Sequence, residues 1–310
     1  MTADSTLLAV PNVSEGRNLA LIDTIASALT AEPVGGVRLL DVHSDADHHR
    51  SVFTAAGSGP GLIDGLLAAA RVAVQRIDIL TAADVDTRQH PHVGALDVAP
   101  IVYPDPGQRG AACAGALVLA ERIGEELGVP VFLYGELTAD EHHPPRTRAE
   151  LRRGGVRGLA ARVAGAGHDG QPVLSPDFGP ARIHPSAGAT LVAARPPLVA
   201  FNLQLAPPAG IRRAREIAAQ IRESPGGGLP GVRAIGVLLA GDVAQVSMNI
   251  ERPFDISLAE VVAAVRERAA VASAELVGLA PAAAMAGFPD DLPMPGFDPS
   301  RHLIENALGS

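Results

Sequence analysis

Apolar and polar positions divide the chain into two stretches of alternating strand and helix patterns. In the first stretch, short apolar runs typical of buried strands alternate with segments whose apolar residues recur at three- and four-residue steps, as on one face of a helix. The pattern predicts strands at residues 7–13, 37–42, 51–56, 98–103 and 129–134, and helices at 17–30, 60–77 and 108–127. This order is that of a split βαβ unit with one helix and one strand added.

Polar residues dominate the stretch at 138–185, which is rich in Arg, His, Gly and Pro and carries one helical pattern at 148–163. A segment of this length without a core of its own is either a linker or a functional covering loop. We therefore predict a domain boundary here. We assign residues 1–186 to the first subdomain, including a covering linker from about 138, and residues 187–310 to the second.

The second stretch repeats the order of the first. Ser257 and Glu260 have the spacing of a capping box, which marks the start of its last helix. The apolar runs predict a strand region at 190–205, a hairpin of strands at 232–239 and 245–250, a closing strand at 275–279, and helices at 210–222 and 257–270. The two βαββαβ patterns together predict an α+β fold.

The composition excludes several classes of protein. A chain of 310 residues with 47% apolar content can bury a substantial core. A formal charge of −9 and 3% aromatic content lack the basic and stacking surfaces that nucleic-acid binding needs. No run of 18 apolar residues and no basic-then-apolar leader occurs, so we expect a cytoplasmic protein without a membrane segment. The single cysteine, Cys113, permits no disulfide within the chain and no thiolate metal cluster.

All 25 basic residues are arginines. The lack of lysine excludes Schiff-base chemistry on the protein and a P-loop. Arginine binds carboxylates through two parallel hydrogen bonds, which suits acidic small-molecule ligands. A compositional drift towards Arg and Ala explains the same count without a function.

Two histidines flank a proline in the stretch Arg-Gln-His-Pro-His-Val-Gly-Ala-Leu-Asp at residues 88–97. Imidazole is the side chain best suited to accept and return a proton near neutral pH. Pro91 favours an extended conformation at His90, and Gly94 leaves room for a close backbone approach or a ligand. On residue chemistry alone, a surface or packed loop histidine is the more ordinary interpretation.

This stretch resembles the His-Pro-Arg-Met-Gly-Ala-Leu-Asp signature of the formiminotransferase family, folate enzymes that receive the formimino group of N-formimino-L-glutamate. Each further match is weak alone, but together the matches keep the family's order and cover nearly the whole chain. They are VPNVSEGRN at 10–18, LLDV at 39–42, EELGVPVFLYGE at 125–136, PDFGP at 176–180, AFN at 200–202, AQVSMN at 244–249 and ELVGL at 275–279.

The resemblance implies two ferredoxin-like (βαββαβ-type) subdomains packed together, a homodimer and no metal. It also implies tetrahydrofolate as co-substrate and His90 as the catalytic base. One histidine can remove the proton from N5 of tetrahydrofolate and return one to the leaving nitrogen, which typically contributes about 100- to 10,000-fold in rate. The residues that fall on the family's folate-contacting segment are Gly179, Pro180, Ala181, Arg182, Ile183, His184, Pro185, Ser186, Ala187 and Gly188. Without the resemblance, this segment would be interpreted as an interdomain connection.

Five further residues are weaker candidates for substrate contacts. Asn12 is a ligand contact or the cap of a turn. Arg50 is a carboxylate contact or a solvated surface residue, and Asp97 orients the catalytic base or ends a strand. His43 and His92 stand where the resemblance leads us to expect an acidic residue and an arginine, respectively.

These departures leave the donor open. His92 in place of an arginine, and DTRQ at 86–89 in place of the family's His-x-Gly-Glu pattern, alter the recognition of the donor's carboxylates. The predicted activity is glutamate formimidoyltransfer in histidine degradation. The alternatives are N-formylglutamate or formiminoglycine as donor, or a non-catalytic folate-binding relative. A metal site of the histidines at 43–49 is a weaker alternative, because their spacing fits no zinc pattern. We expect cyclodeaminase activity to belong to another protein.

Overall fold

The computed structural model describes residues 6–31, 36–80, 92–139, 144–166, 170 and 172–309. It has an α+β fold with two sheets, as predicted. The chain divides into two compact units, Met1–Pro196 and Pro197–Ser310. No helix in the described part of the chain is long and apolar enough to cross a membrane.

The sheet of the first unit is mainly antiparallel and has a parallel addition at one edge. In the described residues it consists of β1 (Leu7–Ala9), β2 (Asn12–Val13), β3 (Arg38–Asp45), β4 (Arg50–Gly57), β5 (Leu96–Val102), β6 (Val131–Leu133) and β7 (Thr190–Arg195). β1 and β2 both lie between β4 and β5 and are antiparallel to them. β3 pairs with the outer edge of β4, and β7 lies parallel between β5 and β6. The strand predicted at 7–13 is therefore two short strands in line, because Pro11 has no N–H for the ladder.

Three long helices, α1 (Leu19–Thr30), α2 (Gly59–Arg76) and α3 (Arg109–Leu127), pack on one face of this sheet. The Asn18 side chain accepts a hydrogen bond from the Leu21 N–H (3.1 Å) and caps the start of α1. α3 ends at a glycine, Gly128, whose φ of 64° suits the left-handed conformation of a helix terminus. The capping residues thus fix where the helices that cover this face begin and end.

The opposite face of the sheet is covered by two short helices, α4 (Arg148–Leu151) and α5 (Gly155–Val163). Leu159 packs there in a cluster with Val98 of β5. The single helix predicted at 148–163 was wrong, because Gly154 has a φ of 75° and turns the chain between the two helices. The covering linker predicted from about 138 therefore includes two helices that lie on the sheet.

The strand region predicted at 190–205 is two strands in different sheets. β7 ends at Arg195, and β8 (Val199–Leu205) is the first strand of the second unit. Pro196 and Pro197 stand between them, and neither can donate to a strand ladder. The division between the units therefore follows β7, whereas the polar stretch suggests a boundary near 186.

The second unit has the βαββαβ order predicted for this half. It consists of β8, α6 (Ile211–Ile221), β9 (Val232–Leu238), β10 (Ala244–Ile250), α7 (Leu258–Arg266) and β11 (Val271–Val277), followed by α8 (Pro299–His302) and α9 (Ile304–Gly309). Its strands are antiparallel in the order β11, β8, β10, β9. The Glu260 N–H donates to Ser257 Oγ (3.3 Å) and the Ser257 N–H donates to Glu260 (2.9 Å), which confirms the capping box at the start of α7.

The two faces of the second sheet differ in polarity. Helices α6 and α7 pack on the face that carries Phe201. On the other face, Glu275, Asn202 and Ser247 lie opposite one another on neighbouring strands. Asn202 Nδ2 donates to Glu275 (2.7 Å), and Ser247 Oγ donates to Asn202 Oδ1 (2.7 Å). Gln245 is on this face too and is 1% exposed, and neither of its amide atoms has a hydrogen-bond partner among the described residues.

We expect Gln245→Met to leave the free energy of unfolding unchanged or to raise it by up to about 1 kcal/mol, because an unpaired buried amide is replaced by an apolar side chain of similar volume. Asn202→Leu is the matched control, and it should cost about 1–3 kcal/mol because Glu275 and Ser247 lose a buried partner. Urea unfolding followed by circular dichroism measures both variants. A loss above about 1 kcal/mol for Gln245→Met would mean that the amide is paired after all.

Candidate functional site

The histidine loop, residues 92–95, is fixed by side chains of the first unit. Asp97 Oδ1 accepts a hydrogen bond from the Val93 N–H (2.7 Å), and Ser14 Oγ donates to the Gly94 carbonyl (2.7 Å). Asp97 and Ser14 are both buried, so water does not compete for these bonds. The backbone at Val93 and Gly94 is therefore held in one conformation.

Two glycines allow this loop to lie directly against the segment that precedes β7. The two backbones pair at Gly94 and Gly188. A Cβ at Gly94 would lie 1.8 Å from the Ala189 carbonyl oxygen, a distance that excludes any side chain. Gly188 has a φ of 72°, which also favours glycine. The last residue of the segment 179–188 thus contacts the histidine loop through its backbone.

A β-bulge at Asp97 interrupts the regular alternation of β5. Asn12 and Val13 of β2 pair with Val98 and Leu96, so Asp97 is the extra residue between them. Leu96 packs with the three long helices, whereas Val98 packs on the opposite face of the sheet. A bulge can re-aim a side chain in this way. It gives Asp97 access to the covering helices.

Asp97 and Arg152 form a buried ion pair. Arg152 Nη2 donates a hydrogen bond to Asp97 Oδ2, and the side chains of Arg152 and Asp97 are only 8% and 7% exposed. Asp97 thus bonds Val93 with one carboxylate oxygen and Arg152 with the other. The pair joins β5 to the residue that follows α4. Sequence reasoning missed Arg152, because nothing in an Arg-rich polar segment distinguishes it from its neighbours.

A small pocket with a cavity volume of about 10 Å³ lies beside this pair and opens to the surface. It is lined by Asn12, Val13, Ser14, His48, His49, Arg50, His92, Asp97 and Arg152. The structure therefore brings together four of the five weaker candidates, Asn12, Arg50, His92 and Asp97. His43 is the exception. It lies on β3, two strands away from Asn12, because Val52 of β4 stands between them, and it is not among the described residues that line the pocket.

The hairpin between β3 and β4 brings Arg50 to this pocket. Asp45 Oδ1 accepts a hydrogen bond from the His48 N–H (2.9 Å), a side-chain bond that stabilises the turn. His49 has a φ of 48°, and its Nδ1 accepts a hydrogen bond from the Gly16 N–H (3.2 Å). Arg50 follows directly as the first residue of β4. The turn chemistry therefore fixes the backbone position from which the Arg50 side chain starts.

The guanidinium of Arg50 has an unused hydrogen-bonding capacity. Its Nε is buried and has no hydrogen-bond partner among the described residues. Burial lowers the pKa of Arg50 from its ordinary value and the charge of Arg152 lowers that pKa further, whereas Asp45 and Asp97 raise it. Asp97 is already bonded to Arg152. An anion in the pocket would supply the missing acceptor, so the pocket suits the carboxylate of a small molecule.

The segment 179–188 forms a tight turn before it reaches the histidine loop. His184 Nδ1 accepts hydrogen bonds from the N–H groups of Ser186 (3.3 Å) and Ala187 (3.0 Å). Burial lowers the pKa of His184, and the charge of Arg182 lowers it further, which favours the neutral ring that accepts these bonds. None of the ten residues of this segment lines the pocket around Arg50.

His90, the predicted catalytic base, lies outside the described residues. His92 lines the pocket, so the histidine loop reaches the residues around Arg50. In the described part of the chain, no group of three His, Cys, Asp or Glu side chains is arranged to hold a metal ion.

The first unit thus belongs to the class of α+β proteins that carry an arginine-lined pocket. Arg50 and Arg152 line this pocket beside the histidine loop. Such a site suits an acidic small molecule and a proton transfer. Residues 6–195 match the family model described as formiminotransferase domain, N-terminal subdomain. The chain therefore belongs to the formiminotransferase family, and the resemblance seen in its motifs is confirmed.

Similar curated proteins fall into two groups by length. The chain is 37% identical to a glutamate formimidoyltransferase of Streptococcus pyogenes serotype M1, with 96% of this chain and 97% of that protein covered. It is 31% identical to a glutamate formimidoyltransferase of Thermoplasma acidophilum, with 89% and 88% covered. It is 35% identical to the formimidoyltransferase-cyclodeaminase of Gallus gallus, with 89% of this chain but 50% of that protein covered. The chain thus spans about half the length of this last relative.

We expect Gly94→Ala to lower the free energy of unfolding by about 1–3 kcal/mol or more, because the added methyl group must displace the backbone at Ala189. Gly110→Ala is the matched control, since a Cβ at Gly110 in α3 meets nothing within 4 Å and alanine favours helices. Thermal and urea unfolding of both variants measure the difference. Equal stabilities would contradict the close approach of the histidine loop to Ala189.

Proposed function

We propose that this protein is a glutamate formimidoyltransferase. It transfers the formimino group of N-formimino-L-glutamate to N5 of tetrahydrofolate and yields 5-formimidoyltetrahydrofolate and L-glutamate, a step of histidine degradation. Membership of the formiminotransferase family and the similarity over nearly the full length of the Streptococcus pyogenes relative support the proposal. The observation that carries it is the buried Nε of Arg50, which has no hydrogen-bond partner among the described residues and lies in a pocket that His92 also lines.

Arg50 binds a carboxylate of the donor in this proposal. A guanidinium and a carboxylate form charge-assisted hydrogen bonds, and these are strongest where water is excluded. The lining residues Asn12 and His92 add polar groups beside Arg50 that can contact the rest of the donor. Asp97 does not compete with the donor for Arg50, because its second oxygen is bonded to Arg152.

The transfer needs one group that takes and returns a proton. N5 of tetrahydrofolate attacks the formimino carbon and loses its proton to the catalytic base, and a tetrahedral intermediate forms. The intermediate breaks its bond to the glutamate nitrogen, which takes the proton back from the base. We assign this role to His90 from the family motif, because it stands two residues before His92 and the fixed backbone at Val93.

Tetrahydrofolate contacts residues 179–188 in this proposal. The backbone pairing of Gly94 with Gly188 supports it, since a ligand on that segment would lie near the histidine loop. We further propose ferredoxin-like subdomains, a homodimer and a cytoplasmic location. In support of the fold, the first strand of each βαββαβ set lies between the third and the fourth.

A different donor is the second candidate, and His92 in place of the family's arginine favours it. Purified protein should be incubated with tetrahydrofolate and, in turn, with N-formimino-L-glutamate, N-formylglutamate and formiminoglycine. The absorbance of the folate product reports turnover. We expect turnover with N-formimino-L-glutamate. Turnover with another donor alone would replace the proposed donor, and calorimetric binding of tetrahydrofolate without any product would identify a non-catalytic folate-binding protein.

Arg50→Met should raise the KM for the donor by about tenfold to a hundredfold, because a charge-assisted hydrogen bond to the donor's carboxylate contributes about 1.5–3 kcal/mol. Glutarate, which has two carboxylates but no formimino group, should inhibit the unaltered protein and should not inhibit the variant. Arg233→Met is the control, since Arg233 is exposed and paired with Glu251 (3.0 Å) in the second unit. An unchanged KM in folded Arg50→Met would refute the carboxylate site.

The variants His90→Ala and His92→Ala should affect different kinetic constants. Loss of the base should lower kcat by a factor on the order of 100 or more, because that interaction acts mainly in the transition state. His92→Ala should raise the KM for the donor more than it lowers kcat. His92→Arg should improve the use of N-formimino-L-glutamate if that is the donor. Equal and small losses in both alanine variants would remove His90 and His92 from the reaction.

A further inference from the structure

We propose that Arg152 is a positioning residue, which holds the Asp97 carboxylate so that the backbone beside His92 stays fixed and Arg50 stays available to an anion. The inference rests on the proposed function for its substrate, and on the ion pair and the pocket for its geometry. Neither the family match nor the motif assigns a role to Arg152.

Each carboxylate oxygen of Asp97 has its own hydrogen-bond donor. Oδ1 accepts the Val93 N–H (2.7 Å), and Oδ2 accepts from Arg152 Nη2. Val93 directly follows His92, so the position of the carboxylate sets the backbone beside His92, a residue that lines the pocket. A carboxylate with one oxygen bonded to Arg152 cannot rotate away without leaving a buried charge unpaired.

Hydrogen bonds hold the segment that carries Arg152. Arg152 directly follows α4, whose start carries a capping box. The Glu150 N–H donates to Thr147 Oγ1 (3.2 Å), and the Thr147 N–H donates to the Glu150 carboxylate (2.8 Å). Arg162 Nη1 donates to the Glu150 carbonyl (2.9 Å) and ties α4 to α5. The guanidinium that meets Asp97 therefore comes from a braced part of the covering helices.

The charge of Arg152 also affects Arg50. Arg50, Arg152 and Asp97 line one pocket, and both other charges act on Arg50. With Arg152 present, the charge of Asp97 is compensated, and the Nε of Arg50 has no hydrogen-bond partner among the described residues. Without Arg152, Asp97 would be a buried, unpaired carboxylate, and Arg50 is the nearby cation that it would attract. The donor's carboxylate would then compete with Asp97 for Arg50.

A second substitution, at Asp97, should suppress the effect of losing Arg152. Arg152→Met should raise the KM for the donor about tenfold or more while kcat falls less. Adding Asp97→Asn to Arg152→Met should bring KM back to within about threefold of the unaltered protein, because the neutral amide no longer attracts Arg50 and its Oδ1 still accepts the Val93 N–H. Arg152→Lys should retain most of the affinity, since it keeps the charge beside Asp97.

The control is Arg153→Met. Arg153 directly follows Arg152 in the chain, but its side chain is exposed. Its loss should leave both KM and the thermal midpoint unchanged. Where Arg152→Met does not fold, Arg152→Gln serves, since it can donate to Asp97 without a charge and should also raise KM.

A measurement without turnover separates this inference from the proposed function. Calorimetry with glutarate should follow the same order of affinities in the same variants, whichever donor the protein uses. If no donor reacts but glutarate binding still weakens in Arg152→Met and recovers in the double variant, the proposed function fails and the role of Arg152 stands. Unchanged glutarate affinity in folded Arg152→Met, or a double variant no better than Arg152→Met, overturns the inference.

Discussion

A buried carboxylate must be paired, and this constraint on Asp97 connects the parts of the site. An ionised carboxylate away from water is costly unless hydrogen bonds and an opposite charge compensate it. Asp97 meets this need with the Val93 N–H on one side and Arg152 on the other. Val93 belongs to the histidine loop and Arg152 to the covering helices. If either part moved, the buried carboxylate of Asp97 would lose a partner, which is energetically costly. The loop, β5 and the covering helices therefore depend on one another.

The topology of the first unit explains how distant segments of the chain meet at this point. β5 lies between β1 and β2 on one side and β7 on the other, so that its beginning adjoins Asn12 and the segment before β7. The bulge at Asp97 then directs a polar side chain towards the covering helices from a strand whose other residues are apolar. The hairpin between β3 and β4 adds Arg50 from an earlier part of the first unit.

Much of this fold follows from local patterns, and most of the site geometry does not. Helical periodicity predicts α1, α2 and α3, and the spacing of Ser257 and Glu260 predicts the start of α7, because these signals are contained in a few neighbouring residues. The run at 190–205 is misleading, since strands in both sheets are apolar and only the proline pair separates them. The role of Arg152 cannot be predicted from the sequence, because its partner, Asp97, is 55 residues away. His43 has an imidazole that could serve in a site, but it lies on β3, two strands away from Asn12.

Local charge, and not the charge of the whole chain, governs what this pocket can bind. The net charge of −9 repels anions at a distance, but exposed charges are screened beyond about 8–10 Å at physiological salt. Inside the pocket the effective dielectric constant is lower, so a partly buried guanidinium attracts a carboxylate more strongly than an exposed one does. An acidic protein can thus bind an acidic ligand when its buried arginines outnumber the carboxylates beside them. Among the residues that line the described pocket, two arginines, Arg50 and Arg152, stand against one carboxylate, Asp97, and Asp45 acts on Arg50 from outside the lining.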